Sequence, residues 1–137
     1  MHLMVDGYGC DRNRLEDLSL IYNFLSEYPS QMNMTKIMPP YVFRYDGGRK
    51  PEDWGISGFV LIAESHISIH TFPEKSYLSV DIFSCKDFDA DQAISQIEKA
   101  FAIKKSEIKL LDRGLEFPRD TRTSTYLVQE ERHRRQI

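Results

Sequence analysis

The chain contains only two cysteines, Cys10 and Cys85, among its 137 residues. They form no C-x-x-C pair, so the sequence predicts neither a disulfide framework nor a zinc site. No apolar run approaches the roughly 20 residues that a membrane helix needs. The first six residues also lack the basic region and the long apolar stretch of a signal peptide. We therefore expect a cytoplasmic protein that has no membrane partner.

No charge of one sign dominates the chain. Its 18 Lys and Arg residues stand against 21 Asp and Glu residues, and the formal net charge is −3. A protein that binds nucleic acid needs a basic face. The one basic cluster of this chain, residues 132–135, is instead typical of a solvated terminus. A hydrophobic content of 41% fits one compact domain with its own core. We expect that single domain over residues 1–117 and a polar C-terminal tail over residues 118–137.

Hydrophobic periodicity predicts two helices and six strands. Apolar residues at three- to four-residue spacing favour a helix over residues 12–27, ended by Tyr28-Pro29-Ser30. A second helix begins after Asp89, a suitable N-cap, with Gln92 as its box partner. Alternating or continuous apolar runs predict strands at residues 2–8, 35–46, 56–63, 67–72, 77–83 and 108–111.

The order of these elements, β-α-β-β-β-β-α-β, indicates the fold class. Short connections between consecutive strands favour an antiparallel sheet, and Pro39-Pro40 favours an edge position for the second strand. Helices that bury their apolar stripes against one face of such a sheet make two layers. The sequence therefore predicts an α+β fold, a two-layer α/β sandwich with two helices on one face of an antiparallel sheet.

One predicted turn and its flanking strands hold an unusual concentration of reactive side chains. Each has an ordinary structural explanation, since a turn serine satisfies backbone groups and a cysteine after a strand is often a small core residue. His66 and His70 share a strand face, but two ligands make a weak metal site and no third is evident, so we expect no metal. The residues are Glu64, Ser65, His66, Ser68, His70, Thr71 and, after the next strand, Cys85.

Taken together, these residues resemble the self-cleavage signature of the prokaryotic S-adenosylmethionine decarboxylase proenzymes. The run from Ala63 to Glu74 reads AESHISIHTFPE. It is similar to the family pattern of E-S-H, three residues, H-T and an aromatic-Pro-Glu. The likeness extends to residues 6–10, 55–58 and 81–85, and it covers roughly residues 2–116.

The resemblance implies a self-processing, pyruvoyl-dependent decarboxylase that acts on S-adenosylmethionine for polyamine (spermidine) biosynthesis. Ser65 Oγ would attack the carbonyl of Glu64, and the resulting ester would then be eliminated to leave a pyruvoyl group at position 65. This covalent pyruvoyl is the expected cofactor, because its carbonyl can form a Schiff base with the substrate amine. By the same resemblance, His70 is the processing base and Ser57 a second processing serine. Cys85 is the proton donor of the decarboxylation.

The expected substrate-binding residues also follow from the resemblance. Glu74 occupies the position of a glutamate that holds ribose hydroxyls, and Phe72 that of an aromatic ring beside the adenine and the sulfonium. Residues 38–54 depart from the bacterial pattern, with prolines at their start and a longer charged loop. The pattern leaves the aromatic partner of Phe72 open among Tyr41, Phe43, Tyr45 and Trp54.

Two other functions are compatible with the same residues. A pyruvoyl enzyme of this family can act on another amino acid, such as arginine or ornithine, because the chemistry needs only an α-amino acid. A non-catalytic binding subunit is the second alternative, although such a subunit need not keep Ser65, His70 and Cys85 together. The resemblance further implies a homodimer of processed protomers, with active sites at or near the subunit interface.

Overall fold

The computed structural model describes residues 1–116, which form one six-stranded sheet with helices packed against one of its faces. The predicted tail, residues 118–137, lies outside the described residues. Short 3₁₀ turns occupy Pro51–Asp53 and Pro73–Lys75. The elements are β1 (His2–Tyr8), α1 (Arg12–Leu15), α2 (Leu18–Gln31), β2 (Tyr41–Tyr45), β3 (Gly55–Ile62), β4 (Ser65–Phe72), β5 (Tyr77–Ser84), α3 (Ala90–Phe101) and β6 (Lys105–Leu111).

The sheet has the order β2-β3-β4-β5-β1-β6, and every neighbouring pair is antiparallel. Strands β2 to β5 form a continuous meander, and β1 inserts between β5 and β6. The predicted fold class, an antiparallel α+β sandwich, is confirmed. The predicted edge position of the strand after Pro39-Pro40 is confirmed as well, since β2 pairs only with β3 among the described strands.

Alternation along the strands separates a buried face from an open one. In β4, Ile67 and Ile69 are fully buried beneath the helices, whereas His70 is exposed on the opposite face. No helix among residues 1–116 covers that second face, which we call the open face. Over β2 and β3 it carries large exposed apolar side chains, namely Tyr41, Phe43, Tyr45, Phe59 and Leu61.

The first predicted helix, residues 12–27, is wrong in its bounds because the segment folds as two helices. Asp11 caps α1 by accepting a hydrogen bond from the backbone amide two residues later, at 2.9 Å. Asp17 then caps α2 by accepting one from the amide three residues later, at 3.0 Å. Two N-capping aspartates so close together start two helices where hydrophobic spacing alone indicates one.

The helix α2 also continues past Pro29, where the sequence predicts its end. A proline cannot donate to the carbonyl four residues earlier, but Pro29 stands in the last turn, so one helical bond is lost. The Pro29 carbonyl still accepts hydrogen bonds from the amides of Met32 and Met34, at 3.1 and 2.8 Å. Asn33, with a φ of 57°, then ends the helix in the left-handed conformation.

The second helix is confirmed, and so is its cap. The carboxylate of Asp89 accepts a hydrogen bond from the backbone amide of Gln92 at 3.0 Å. On the helix that follows, apolar residues at helical spacing pack into the core, with Ala93, Ile97 and Phe101 fully buried.

The strands agree with their predicted positions except at some ends. The last strand begins at Lys105 rather than at residue 108, because β1 pairs with it along its whole length. The second strand covers only Tyr41–Tyr45, and before the prolines only an isolated bridge joins Lys36 to Ile62. Strand β4 begins at Ser65 rather than at residue 67, so the turn that precedes it is short.

Thr71 ties the helical layer to the sheet. Its side chain is buried, and its Oγ1 accepts a hydrogen bond from the Ile56 amide at 3.0 Å and donates one to the Leu15 carbonyl at 2.9 Å. A Cβ at Gly55 would overlap the carbonyl of Thr71, so this close approach of β3 to β4 requires glycine. The threonine next to His70 therefore has a structural role that keeps β4 in place.

Replacing Thr71 with valine removes the hydroxyl at nearly constant volume and leaves a buried amide and a buried carbonyl without this partner. We expect T71V to lower the free energy of unfolding by about 2–6 kcal/mol, because each of the two unsatisfied buried groups costs about 1–3 kcal/mol. The T71S control keeps the hydroxyl and should lose only about 1 kcal/mol for its missing methyl group. Urea unfolding measures both, and equal stabilities would show that the hydroxyl is not the tie.

Candidate active site

The short turn between β3 and β4 places the predicted cleavage point at one end of these two strands. Residues 63–64 form the turn, and Ser65 is the first residue of β4. Ser65 pairs with Ile62 on β3 and with Ser84 on β5, so both of its sides are flanked by strands. This register brings Cys85, which follows β5, next to the turn.

The carbonyl that Ser65 is predicted to attack already has a donor. The backbone amide of Cys85 donates a hydrogen bond to the Glu64 carbonyl oxygen at 2.8 Å. Attack on the carbonyl carbon places negative charge on that oxygen, and an amide at this distance stabilises such a charge as an oxyanion hole does. A donor is therefore already in place at the oxygen on which the predicted acyl shift would put negative charge.

The carboxylate of Glu64 anchors the turn. It is only 3% exposed, and it accepts hydrogen bonds from the Thr35 amide at 3.1 Å and from the Lys86 ammonium at 3.3 Å. Burial raises the pKa of the Glu64 carboxyl, but hydrogen bonds from the backbone and from Lys86 outweigh it and leave the pKa below its usual value. The side chain is thus charged at neutral pH, while the main-chain carbonyl of the same residue belongs to the bond that the sequence predicts to be cleaved.

The two cysteines occupy very different environments. Cys10 is 5% exposed in the core, where burial raises the pKa of its thiol to about 11. Cys85 is half-buried and lies beside the Glu64–Ser65 bond. Of the two thiols, that of Cys85 is therefore the more accessible, whereas Cys10 has a packing role.

The other two predicted processing residues lie together at the far end of β3 and β4. Ser57 and His70 are directly opposite each other in the strand register. The Ser57 Oγ and His70 Nδ1 atoms share a hydrogen bond of 2.8 Å. Both residues belong to the open face, where His70 is exposed to solvent.

The structure does not bring Ser65 and His70 together within one protomer. Five positions separate them along the extended strand, which places their Cα atoms about 16–17 Å apart at the usual strand rise. The predicted nucleophile and base thus stand at opposite ends of one strand.

A cavity of about 600 Å³ lies beside Ser57 and His70. Phe72, predicted to contact the substrate, lines it, and so does Tyr45 from β2. Tyr45 is thereby the one of the four candidate aromatics that shares this cavity with Phe72. The loop after β2 adds charged groups to the wall, in Arg49, Lys50 and Asp53.

Glu74, the predicted ribose ligand, does not line this cavity. Its Oε1 accepts hydrogen bonds from the Arg12 guanidinium at 2.8 Å and from the Trp54 indole at 3.1 Å. The Arg44 guanidinium lies over the Trp54 ring, 4.2 Å from the ring centroid. A ribose at Glu74 would therefore have to replace or share these partners.

The sequence did not identify two residues that hold the turn at the predicted cleavage point. Thr35 and Lys86 both bind the Glu64 carboxylate, across 29 and 22 residues of sequence. No pattern in the chain marks the Thr35 contact, since it is made by a backbone amide. Lys86 follows Cys85 directly in the sequence, and this position was the one feature that could have indicated its contact with the turn.

Two further features of residues 1–116 bear on other kinds of function. No group of three or more His, Cys, Asp or Glu side chains is arranged to hold a metal ion there. In the same residues, no helix is long and apolar enough to cross a membrane.

Comparison with known proteins identifies the family. Residues 1–114 match the family model of S-adenosylmethionine decarboxylase. The S-adenosylmethionine decarboxylase proenzyme of Pyrococcus horikoshii is 34% identical over 132 residues, which cover 96% of this chain and 90% of that protein. The proenzyme of Clostridium botulinum is 34% identical over 114 residues, or 82% of this chain and 92% of that protein.

A solved structure agrees with the sequence comparison. The crystal structure of the adenosylmethionine decarboxylase from Aquifex aeolicus matches with a TM-score of 0.69 and 30% sequence identity. The match covers 82% of this chain and 88% of that chain. By its sequence and by its fold, the chain belongs to the S-adenosylmethionine decarboxylase family.

Proposed function

We propose that this protein is a self-processing decarboxylase that acts on S-adenosylmethionine and supplies the decarboxylated product for polyamine (spermidine) biosynthesis. Family membership supports the substrate. The observation that carries the self-processing is the hydrogen bond from the Cys85 amide to the Glu64 carbonyl, immediately before Ser65. Its location is expected to be the cytoplasm, as the sequence predicts.

The proposed cleavage uses the residues of the turn. Ser65 Oγ attacks the Glu64 carbonyl carbon, a C–O bond forms, and the C–N bond breaks to give an ester and a free amine. The Cys85 amide stabilises the negative charge on the carbonyl oxygen during this step. His70 of the partner subunit then removes the Cα proton of Ser65, and the Glu64 carboxylate leaves. Tautomerisation and hydrolysis release ammonia, which leaves a chain of residues 1–64 and a chain that begins with pyruvoyl at position 65.

Position 65 suits a pyruvoyl group in two respects. It begins a strand that stays paired on both sides, so the new chain terminus remains fixed in the sheet after cleavage. Cys85 lies next to it and can deliver a proton to the substrate Cα after carbon dioxide departs. Once formed, the pyruvoyl carbonyl supplies the electrophile that condenses with the substrate amine and accepts the electrons of the broken carbon–carbon bond.

We infer that the working unit is a homodimer in which each protomer completes the other's site. His70 is about 16–17 Å from Ser65 along its own strand, too far for proton transfer. A second copy packed on the open face can place its own Ser57 and His70 against the first copy's turn, since sheets pack face to face about 10 Å apart. The exposed aromatic side chains of the open face support this packing, because they leave water when covered.

The cavity beside His70 is the proposed site for the nucleoside part of the substrate. Tyr45 and Phe72 offer two aromatic surfaces there for an adenine ring and a sulfonium. Glu74 lies outside the lining of this cavity, so as the proposed ribose ligand it has to exchange its hydrogen bonds with Arg12 and Trp54 for the ribose hydroxyls. That pairing leaves arginine or ornithine as the second candidate substrates, because neither molecule needs a ribose ligand.

Substitution of Ser65 by alanine removes the nucleophile. We expect wild-type protein to split into residues 1–64 and 65–137, and S65A to remain one chain of 16.0 kDa that releases no carbon dioxide. The S68A control, on the same strand, should split normally. Intact-mass spectrometry measures cleavage, and carbon dioxide release from S-adenosylmethionine, arginine and ornithine identifies the substrate. A wild-type chain that never splits would instead favour the non-catalytic subunit, and release from arginine or ornithine alone would reject S-adenosylmethionine.

Substitution of His70 by alanine should stop processing after ester formation, so that hydroxylamine splits the H70A chain between residues 64 and 65. When H70A and S65A are produced together, we expect the H70A chain to be cut, because the S65A protomer supplies the missing His70. Chains of different tag mass separate the two products by mass spectrometry. If the H70A chain matures normally alone, His70 is not the base. If it stays uncut in the mixture, the shared site is wrong.

Substitution of Cys85 by alanine should separate the two reactions. The backbone amide remains and still binds the Glu64 carbonyl, so C85A should cleave. Loss of the proton donor should lower the rate of carbon dioxide release by about 10²- to 10⁴-fold. The C10A control removes a thiol from the core instead, and it should retain turnover. Full activity of C85A would exclude this cysteine as the proton donor.

A further inference from the structure

We propose that Lys86 is a positioning residue for self-cleavage, which fixes the reactive carbonyl of Glu64 through an ion pair with the carboxylate of the same residue. The proposal rests on the self-processing proposed above. It adds a role for a residue that lies outside the E-S-H and H-T pattern.

Residues 85 and 86 hold Glu64 by both its main chain and its side chain. The Cys85 amide binds the Glu64 carbonyl at 2.8 Å, and the Lys86 ammonium binds its carboxylate at 3.3 Å. The Thr35 amide supplies a third contact, to the other carboxylate oxygen, at 3.1 Å. With three donors around one residue, rotation of the Glu64 side chain is coupled to the position of its carbonyl.

The burial of the two charges is unequal, and this inequality gives Lys86 its effect. The Glu64 side chain is 3% exposed, whereas that of Lys86 is 67% exposed. A buried carboxylate is costly unless a cation or several donors compensate it, and Lys86 is the cation in ion-pair contact with it among the described residues. The ammonium keeps most of its own hydration, so it stabilises the carboxylate at little desolvation cost.

Loss of Lys86 leaves the carboxylate with amide donors alone. The turn can relieve that cost by turning the Glu64 side chain toward solvent, and this motion would move the carbonyl away from the Cys85 amide. Reaction rates fall steeply when a reacting carbonyl is displaced by about 1 Å from its productive position. We therefore expect Lys86 to affect the rate of cleavage rather than its products.

The test measures the cleavage rate of precursor made in a cell-free synthesis reaction and followed by gel electrophoresis after synthesis is stopped. K86M should cleave about three- to tenfold more slowly, a modest effect because the lysine is largely solvated. K86R keeps the charge and should cleave within about twofold of wild type. K36M is the matched control, since Lys36 lies one residue after Thr35 and binds Ser26 rather than Glu64.

A double-mutant cycle with E64Q distinguishes positioning from a general structural effect. The substituted amide side chain can still accept the Thr35 amide bond but carries no charge for Lys86. We expect K86M to slow cleavage of the wild-type protein. The double variant K86M/E64Q should cleave as fast as E64Q alone, because the coupling is confined to this pair. In the uncut S65A background, K86M should change the urea midpoint no more than K36M does.

The outcomes are distinguishable from those of the proposed function. Cleavage of K86M at the wild-type rate would overturn the role of Lys86 alone. Equal slowing by K86M in the wild-type and E64Q backgrounds would do the same, since it would reveal an effect unrelated to the ion pair. A wild-type precursor that never cleaves would overturn the proposed function itself.

Discussion

The pairing of β4 with both β3 and β5 is the interaction on which the site depends. At one end, this pairing sets Ser65 opposite Ser84 and so brings the Cys85 amide to the Glu64 carbonyl. At the other end, the pairing sets Ser57 opposite His70, and the Ser57 Oγ and His70 Nδ1 atoms are 2.8 Å apart. Thr71 and the close approach of Gly55 hold β3 and β4 together, so the stability of the sheet and the geometry of the site have a common origin.

The same pairing also separates the chemistry into two halves. A straight strand cannot fold back on itself, so the turn with Ser65 and the pair with His70 remain at opposite ends of β4. A second protomer on the open face would join the two halves, and it would also cover the aromatic side chains that this face exposes. The register of the strands is therefore the structural reason for which we propose a second protomer.

The layers of the fold could be predicted because burial imposes a period on the sequence. Alternating residues such as Ile67 and Ile69 define the buried face of a strand without reference to any other part of the chain. The bounds of the first helix could not be predicted in the same way. Capping by Asp11 and Asp17 depends on short-range hydrogen bonds that hydrophobic spacing does not report, and Pro29 is tolerated only because it stands in the last turn.

The Ser65 site shows where sequence ends and tertiary structure begins. The sequence alone determined which residue types are candidates for the chemistry, Glu64, Ser65 and Cys85, because a motif is read from residue types without the fold. Only the tertiary structure decided that a backbone amide binds the reactive carbonyl and that Thr35 and Lys86 hold the carboxylate. The reason is physical: these contacts join segments more than 20 residues apart, and strand register and burial, rather than local pattern, bring such segments together.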